Sequence, residues 1–255
     1  MFSLKKRIVV VCGALGLIGK EVVKAVLEQE AYVIIADIDK DKGISFLNEL
    51  NSNNAEYKDI DITNEDNVLD FIETVESNYG PIWAWVNLAY PRTNDWGDKL
   101  EDIKIESFAK NVDIQLNSQF ICCRAILEKM KKRNEGVVIN CSSIYGIQSP
   151  NFHVYDGTAM TSPAAYSAIK AGVVNFTKYL AAYYGKYNLR VNCITPGGVF
   201  DNQNSVFVNN YDNLTPLGRM GKASEIAPGV SFLISEEASY ITGHNLIIDG
   251  GFTIW

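Results

Sequence analysis

The chain has 255 residues, of which 47% are hydrophobic and 21% are charged, and its formal net charge is −7. These values are ordinary for a globular protein with a sizeable core, and the acidic balance argues against a nucleic-acid partner, which needs clustered cations. No apolar segment approaches the ~18 residues of a membrane span, and no secretory signal is evident, so we expect a cytoplasmic protein without a membrane partner.

Short apolar runs rich in β-branched residues alternate with longer helical patterns along the chain. Runs that are apolar throughout are typical of strands buried on both faces of a parallel sheet. The alternation predicts an α/β protein with a single doubly wound parallel sheet, a Rossmann fold, as one domain over residues 1–255. The predicted strands are 8–12, 32–36, 57–60, 82–88, 137–141, 190–194 and 245–248. The predicted helices are 18–28, 40–50, 64–78, 105–133, 163–184 and 224–234.

Three long stretches lack clear periodicity, and each follows a predicted strand. They span residues 90–102, 145–162 and 197–219. Ligands of open α/β sheets bind beyond the carboxyl ends of the strands. We therefore expect all three stretches to edge one cleft.

The five cysteines and two histidines show neither a disulfide framework nor the spacing of a metal site. Five is an odd number, and no Cys-x-x-Cys pair occurs. Buried free thiols in a reducing compartment fit this pattern, and we predict no metal.

A glycine triplet, Gly13, Gly16 and Gly19, lies between the first strand and the first helix. Glycines permit a tight turn and a close approach of the backbone to a pyrophosphate, which rests on the helix N-terminus. A plain strand–helix turn is the alternative, but the position between these two elements favours a dinucleotide site. The intervening residues expected to contact the cofactor are Leu15, Leu17 and Ile18.

Asp37 ends the second predicted strand. A carboxylate there can accept hydrogen bonds from both hydroxyls of an adenosine ribose, and it would repel a 2′-phosphate. Together with Asp39 and a glycine turn that lacks arginine, it favours NAD(H) over NADP(H). A helix cap is the alternative for Asp37, although Asp39 suits that role well. Asp61, beyond the third strand, is either an adenine contact or a turn residue.

Tyr166 and Lys170 lie one helical turn apart, and Ser143 stands 23 residues upstream at a strand end. A phenol, an ammonium and a hydroxyl suit proton transfer in carbonyl reduction or alcohol oxidation. Alone, the spacing is weak evidence, because a chain with this many tyrosines and lysines contains about one such pair by chance. An ordinary surface pair on a helix is the alternative.

These motifs, in this order, resemble the short-chain dehydrogenase/reductase family over essentially the whole chain. The matching segments include Asn87-Leu-Ala89-Tyr90, Ser142-Ser143 and the closing Asp249-Gly-Gly. The resemblance implies that Tyr166 is the general acid/base, that Lys170 favours the phenolate and holds the nicotinamide ribose, and that Ser143 hydrogen-bonds the reacting oxygen. It also places these residues beside the cofactor: Ile38, Ile62, Asn87, Ala89, Pro196, Gly197 and Val199.

Several positions depart from the family pattern. Cys12 stands in place of a threonine, and Tyr90 stands in place of a glycine. Asp201 occupies a position where a threonine often meets the carboxamide of the cofactor. The fourth catalytic residue of the family, an asparagine, falls by spacing on Gln115, with Asn111 and Asn117 as alternatives.

The segment between Ser143 and Tyr166 is longer than is usual in the family. With its neighbouring loops it resembles a bacterial subgroup associated with flagellin glycosylation and amino-sugar synthesis. Loops rich in amides and hydroxyls suit a polar, carbohydrate-like substrate better than a lipid. Arg92 can bind a phosphate or carboxylate bidentately, although any of these loop residues could be merely solvated. The predicted substrate residues are Arg92, Tyr145, Tyr155 and Asn202.

The first functional hypothesis is an NAD-dependent sugar or polyol oxidoreductase. The changed motif positions leave open a nucleotide-binding protein without turnover. The glycine spacing leaves open an epimerase or dehydratase that retains NAD, although no C-terminal substrate domain is evident. The long helices 105–133 and 163–184 resemble the family's dimer contact, which implies a homodimer or homotetramer.

Overall fold

The computed structural model describes residues 3–255 and confirms a doubly wound parallel sheet. The strands are β1 (Ile8–Cys12), β2 (Tyr32–Asp37), β3 (Ala55–Asp59), β4 (Ile82–Asn87), β5 (Gly136–Cys141), β6 (Leu189–Pro196) and β7 (Asn245–Ile248). The helices are α1 (Leu17–Glu28), α2 (Lys40–Leu50), α3 (Glu65–Tyr79), α4 (Ile105–Val112), α5 (Ser118–Arg133), α6 (Ala164–Tyr184), α7 (Ser205–Leu214) and α8 (Ala223–Ile234).

All seven strands pair in parallel, in the order β3-β2-β1-β4-β5-β6-β7. The direction of winding reverses between β1 and β4. Loops on the two sides of such a switch point run away from each other and leave a crevice at the carboxyl ends of the strands.

Successive residues of β1 face two different apolar layers. Val9 and Val11 pack in the layer that contains α1, α2 and α8, whereas Val10 and Cys12 pack in the layer that contains α3, α5 and α6. Because both faces of the strand are covered, nearly every position in it must be apolar. This arrangement explains why the strands appear in the sequence as unbroken apolar runs.

Side-chain caps begin α2 and α3, and the first of them confirms that Asp39 suits this role. The Asp39 carboxylate accepts a hydrogen bond from the Lys42 backbone N–H at 3.1 Å and caps α2. For α3, Asn64 is the cap and accepts from the Asn67 N–H at 3.0 Å.

Two predictions of helices need correction. The expected single helix 105–133 consists of α4 and α5 joined by a π-helical segment, Asp113–Asn117. Helix α7 lies in the stretch 197–219, which showed no periodicity, because Phe207 and Tyr211 are its only fully buried residues. Two apolar positions are too few to define a helical pattern in a sequence.

Among residues 3–255, no helix combines the length and the hydropathy needed to cross a bilayer. The N-terminal segment that was considered for a secretory signal begins with Met1 and Phe2, which lie outside the described residues.

Candidate active site

A cleft of about 770 Å³ opens at the carboxyl ends of the central strands, next to the switch point. The predicted site residues that line it are Gly13, Gly16, Leu17, Ile18, Gly19, Asp37, Ile38, Asp61, Ile62, Ala89, Arg92, Ser143, Tyr166, Lys170, Pro196, Gly197 and Val199. The predicted site residues that lie outside this lining are Leu15, Asn87, Gln115, Tyr145, Tyr155 and Asn202.

The glycine turn brings the backbone of β1 against the backbone after β4. Gly13 has a φ of +77°, and a Cβ atom at this position would lie 2.4 Å from the Ala89 nitrogen. Only glycine combines this conformation with such a close approach. The turn therefore depends on the absence of a side chain at Gly13.

Helix α1 begins directly behind this turn and presents a free N-terminus. Its N-cap, Gly16, offers no side-chain hydrogen bond, and the first turn contains no acidic residue. A Cβ at Gly16 would meet only the Gly13 carbonyl oxygen, at 3.4 Å, so the space in front of the helix is open. Unpaired N–H groups and the helix dipole thus remain available to an anionic ligand.

Asp37 forms one lip of the cleft and is held there by backbone donors. Its Oδ2 accepts from the Leu15 N–H at 3.0 Å, and its Oδ1 accepts from the Ile38 N–H at 2.9 Å. Leu15 therefore contributes by orienting this carboxylate. Asp61 lines the cleft and also closes a turn, accepting from the N–H and the hydroxyl of Thr63 at 2.9 and 2.6 Å.

Ser143, Tyr166 and Lys170 converge on the same cleft. Tyr166 and Lys170 are one turn apart on α6, and Ser143 follows β5. The Lys170 ammonium donates to the Cys141 carbonyl at 2.9 Å and lies 5.7 Å from the centre of the Tyr166 ring. Ser143 is 7% exposed and Lys170 is 9% exposed, so solvent reaches both mainly through the cleft.

The turn after β5 is clamped onto α6, which fixes Ser143 relative to Lys170. The Ser142 hydroxyl donates to the Lys170 carbonyl at 2.8 Å, which gives this serine a structural role. A Cβ at Gly146 would lie 2.6 Å from the Lys170 carbonyl carbon, so a larger residue would force the two segments apart.

Tyr166 belongs to a three-ring cluster with Tyr90 and Trp96, a feature that the sequence did not predict. The ring centres are 5.7 Å apart for Tyr90–Tyr166, 6.0 Å for Trp96–Tyr166 and 5.7 Å for Tyr90–Trp96, and all three pairs meet edge to face. Burial raises the pKa of Tyr90, so this second phenol stays neutral beside Tyr166.

Gln115 lies in the π-helical segment and is 7% exposed. Neither polar atom of its amide has a hydrogen-bond partner among the described residues. The alternatives are occupied, since Asn111 bonds twice with Thr93 and Asn117 donates to Asp113. Buried amides are seldom left without partners in proteins. Of the three candidates, Gln115 is therefore the one whose amide is available to a ligand or a water molecule.

Asn87 acts within the sheet. Its amide nitrogen donates to the Asn140 side chain at 2.9 Å and so ties β4 to β5 through side chains. Its amide oxygen accepts from the Trp85 indole at 2.7 Å. Asn87 thereby supports the loop that carries Ala89 and Tyr90 without itself lining the cleft.

The stretch 145–162 packs against α7, whereas the stretches after β4 and β6 line the cleft as expected. The Tyr155 ring stacks on Phe207 at 5.5 Å, and its hydroxyl donates to the Tyr145 hydroxyl at 3.5 Å. The Asn210 amide donates to the Asp156 carbonyl at 2.9 Å. Burial raises the pKa of both Tyr145 and Tyr155, so both phenols stay protonated.

Asn202 is exposed and adopts a left-handed conformation with a φ of +55°. Its neighbours Asp201 and Gln203 line the cleft instead. The Gln203 side chain holds this loop together, because its amide donates to the Val199 carbonyl at 2.8 Å and accepts from the Asp201 N–H at 2.7 Å.

All five cysteines are free, and Cys141 is the one that lines the cleft. Burial raises the pKa of its thiol, although the charge of Lys170 opposes this effect. Cys141 is therefore a protonated thiol whose carbonyl group, rather than its sulfur, contacts Lys170.

Comparison with known proteins gives consistent matches over the whole chain. A family model described as enoyl-(acyl carrier protein) reductase matches residues 13–253. The post-translational flagellin modification protein A of Campylobacter coli is 31% identical over 256 residues, which cover 98% of this chain and 99% of that protein. The 7alpha-hydroxysteroid dehydrogenase of Bacteroides fragilis is 27% identical over 261 residues, with coverage of 100% and 97%.

A solved structure shows the same fold. The crystal structure of a short-chain dehydrogenase from Leptospira borgpetersenii with bound NAD+ is 36% identical, with a TM-score of 0.86, and it covers 98% of this chain and 94% of that one. Together with the parallel sheet and the order of the cleft residues, these matches show that the chain belongs to the short-chain dehydrogenase/reductase family of oxidoreductases.

Proposed function

We propose that the protein is an NAD(H)-dependent dehydrogenase that interconverts a polar alcohol and its ketone. The observation that carries the proposal is that Ser143, Tyr166 and Lys170 share one cleft with the glycine turn and Asp37. A proton-transfer set beside a dinucleotide cradle suits hydride transfer coupled to proton transfer.

The cradle fits a nicotinamide dinucleotide. The open N-terminus of α1 suits a pyrophosphate, and the free lone pairs of the Asp37 carboxylate suit the ribose hydroxyls. The same carboxylate opposes a 2′-phosphate, which supports NAD(H) over NADP(H), as does the NAD+ bound in the Leptospira relative. When bound, the dinucleotide supplies nicotinamide C4 as the hydride donor or acceptor.

The chain's own residues would manage the proton. In reduction, the Tyr166 hydroxyl gives its proton to the carbonyl oxygen, and in oxidation its oxygen takes the proton of the alcohol. The Lys170 ammonium, 5.7 Å from the Tyr166 ring, attracts the negative charge that develops on the phenol oxygen. The Ser143 hydroxyl donates a hydrogen bond to the reacting oxygen and holds it in place.

Gln115 would position a water molecule that returns protons to the site. Its amide is buried and lacks a protein partner, and a water satisfies such a group well. The π-helical segment also supports a functional role, since such segments often occur at functional sites.

The substrate that we propose is hydroxylated and carbohydrate-like. Arg92 and Asp201 supply charged groups to the cleft, and an apolar substrate would desolvate them without compensation. The Gln203 amide adds a further polar group to the same side of the cleft. The relatives are named for flagellin modification and for steroid oxidation, so the support for a polar substrate comes from the cleft residues.

The direct test is a screen of polyols, sugars, sugar phosphates and nucleotide sugars with NAD+, in which release of NADH is measured by its fluorescence. We expect at least one compound to give turnover that Tyr166→Phe abolishes. If no compound yields NADH while the purified protein retains NAD through conversion of a substrate, an epimerase or dehydratase replaces the dehydrogenase.

We further infer that the protein forms a homodimer or homotetramer. An exposed aromatic row runs along α6, where Tyr179 is 62% exposed and Tyr183 is 51% exposed, with their rings stacked 6.2 Å apart. A row of this size favours burial against a second copy. Light scattering should give a mass of two or four chains, and Tyr179→Glu should lower it.

The free thiols support a location in the cytoplasm.

A further inference from the structure

Arg92 differs from the other five arginines of the chain. Four of them, Arg7, Arg124, Arg133 and Arg219, pair with glutamates. Arg190 donates to two backbone carbonyls. Across residues 3–255, Arg92 has no carboxylate within ion-pair distance and no carbonyl partner, and it is the one arginine that lines the cleft.

Tyr90 places this guanidinium next to the catalytic residues. The guanidinium carbon lies 5.5 Å from the centre of the Tyr90 ring. The same ring lies 5.7 Å from the Tyr166 ring and 5.5 Å from the Lys170 ammonium. One aromatic ring therefore separates Arg92 from the point where the substrate oxygen would react.

The backbone that carries Arg92 is anchored. The next residue, Thr93, donates its N–H to the Asn111 side chain at 3.1 Å and accepts from the same amide at 2.7 Å. Asp95 accepts from the Thr93 and Ser107 hydroxyls, at 2.6 Å in each case. An arginine on an anchored loop loses less freedom when it binds a ligand.

Charge separates the two ends of the cleft. Asp37 ends β2 and Asp61 follows β3, on the far side of β1 from the loop that carries Arg92. Asp201, on the β6 side, would repel an anion. Because no carboxylate pairs with the Arg92 guanidinium, the loop after β4 adds a positive group to the cleft that is separate from the N-terminus of α1.

We propose that Arg92, supported by Tyr90, forms an anion-binding subsite, so that the substrate is an anionic alcohol whose phosphate or carboxylate binds the guanidinium while its hydroxyl lies at Tyr166 and Ser143. This inference rests on the proposed dehydrogenase function. A guanidinium can bind either anion through two parallel hydrogen bonds.

Matched substrates test the subsite and distinguish the two anions. Glycerol is compared with glycerol 3-phosphate and glycerate, and glucose with glucose 6-phosphate and gluconate, by kcat/KM with NAD+. We expect an anionic member to exceed its neutral partner. Arg92→Ala should lower kcat/KM for that anion by roughly 10- to 100-fold, a clearly larger loss than for the neutral alcohol. Arg92→Lys should recover part of the loss, and the exposed Lys132→Ala controls for loss of one positive charge.

A binding measurement tests the subsite even where no substrate is found. Wild type, Arg92→Ala and Lys132→Ala are each saturated with NADH and titrated with inorganic phosphate in a calorimeter. We expect phosphate to bind wild type and Lys132→Ala but to bind Arg92→Ala at least ~10-fold more weakly. Equal phosphate binding by all three proteins, equal use of neutral and anionic alcohols, or a loss of NADH affinity in Arg92→Ala would overturn the subsite. A screen without NADH release, by contrast, counts against the dehydrogenase alone.

Discussion

The nucleotide end and the catalytic end of the cleft are built by different means. At the nucleotide end, β1 and α1 offer backbone: a turn that admits no Cβ at Gly13 and an uncapped helix N-terminus. At the catalytic end, side chains form the surface, among them the three-ring cluster and Arg92, which has no carboxylate partner. Under the proposed function, the first arrangement would bind the dinucleotide, and the second would bind the substrate.

Because of this difference, substitutions at the two ends should affect different properties of the protein. Changes at the catalytic end should lower turnover while the dinucleotide still binds. Changes at the nucleotide end should lower binding of the dinucleotide before any step of chemistry is reached.

The largest difference between the loss of turnover and the loss of dinucleotide binding is expected for Tyr166→Phe. The phenyl ring preserves the packing with Tyr90 and Trp96 but removes the proton donor. We expect kcat to fall by about 10²–10⁴ and NADH affinity to stay within about twofold, measured by turnover and by fluorescence titration. Tyr155→Phe removes a hydroxyl outside the cleft and serves as the control. Retention of wild-type turnover by Tyr166→Phe would exclude Tyr166 as the acid/base.

Gly13→Ala should damage the nucleotide end most. The left-handed φ and the contact with the Ala89 nitrogen together should cost roughly 2–5 kcal/mol of unfolding free energy, with loss of NADH binding. Urea unfolding and NADH titration measure the two effects. Gly185→Ala is the matched control, because its added Cβ would meet no atom within 4 Å. Equal unfolding free energies and equal NADH affinities in the two variants would contradict the close contact between Gly13 and Ala89.

Asp37→Ala should weaken NADH binding by roughly 10- to 100-fold, since it removes a charged acceptor for the ribose hydroxyls. NADPH should gain relative to NADH. The neighbouring Asp39→Ala removes the cap of α2 and an exposed ion pair with Lys42, so it should lower stability by about 1 kcal/mol without changing NADH affinity. An unchanged NADH affinity in Asp37→Ala would contradict the proposed ribose contact.

The smallest effect is expected for Gln115→Leu, which should lower turnover without lowering the melting temperature. Removing a buried amide without protein partners should leave the melting temperature unchanged or raise it. Turnover should fall on the order of tenfold, less than for the direct proton donor. Asn111→Ala, which breaks two bonds to Thr93, should instead lower the melting temperature. A stable Gln115→Leu variant with full turnover would remove Gln115 from the proton path.

The strands and helices with a regular pattern of buried residues could be predicted from the sequence. The elements whose shape depends on tertiary contacts could not. Strands such as β1 are apolar on both faces and leave a clear signal. Helix α7 leaves almost none, because only Phe207 and Tyr211 are fully buried. The π-helical segment depends on packing rather than on composition.

The same division holds within the cleft. The glycine turn and Asp37 follow from local spacing, and the structure brings them together as expected. The contact of Tyr90 with Tyr166 joins a loop after β4 to a helix after β5, and no local pattern encodes such a pair. Asn202 is exposed and has a left-handed backbone conformation, neither of which its sequence position indicates.

The most direct test of the account needs no substrate. Wild-type protein is titrated with NADH and with NADPH, and the nicotinamide fluorescence reports binding. We expect saturable binding of NADH, with NADPH at least ~10-fold weaker because Asp37 opposes the 2′-phosphate. Tighter binding of NADPH, or no binding of either dinucleotide, would contradict it.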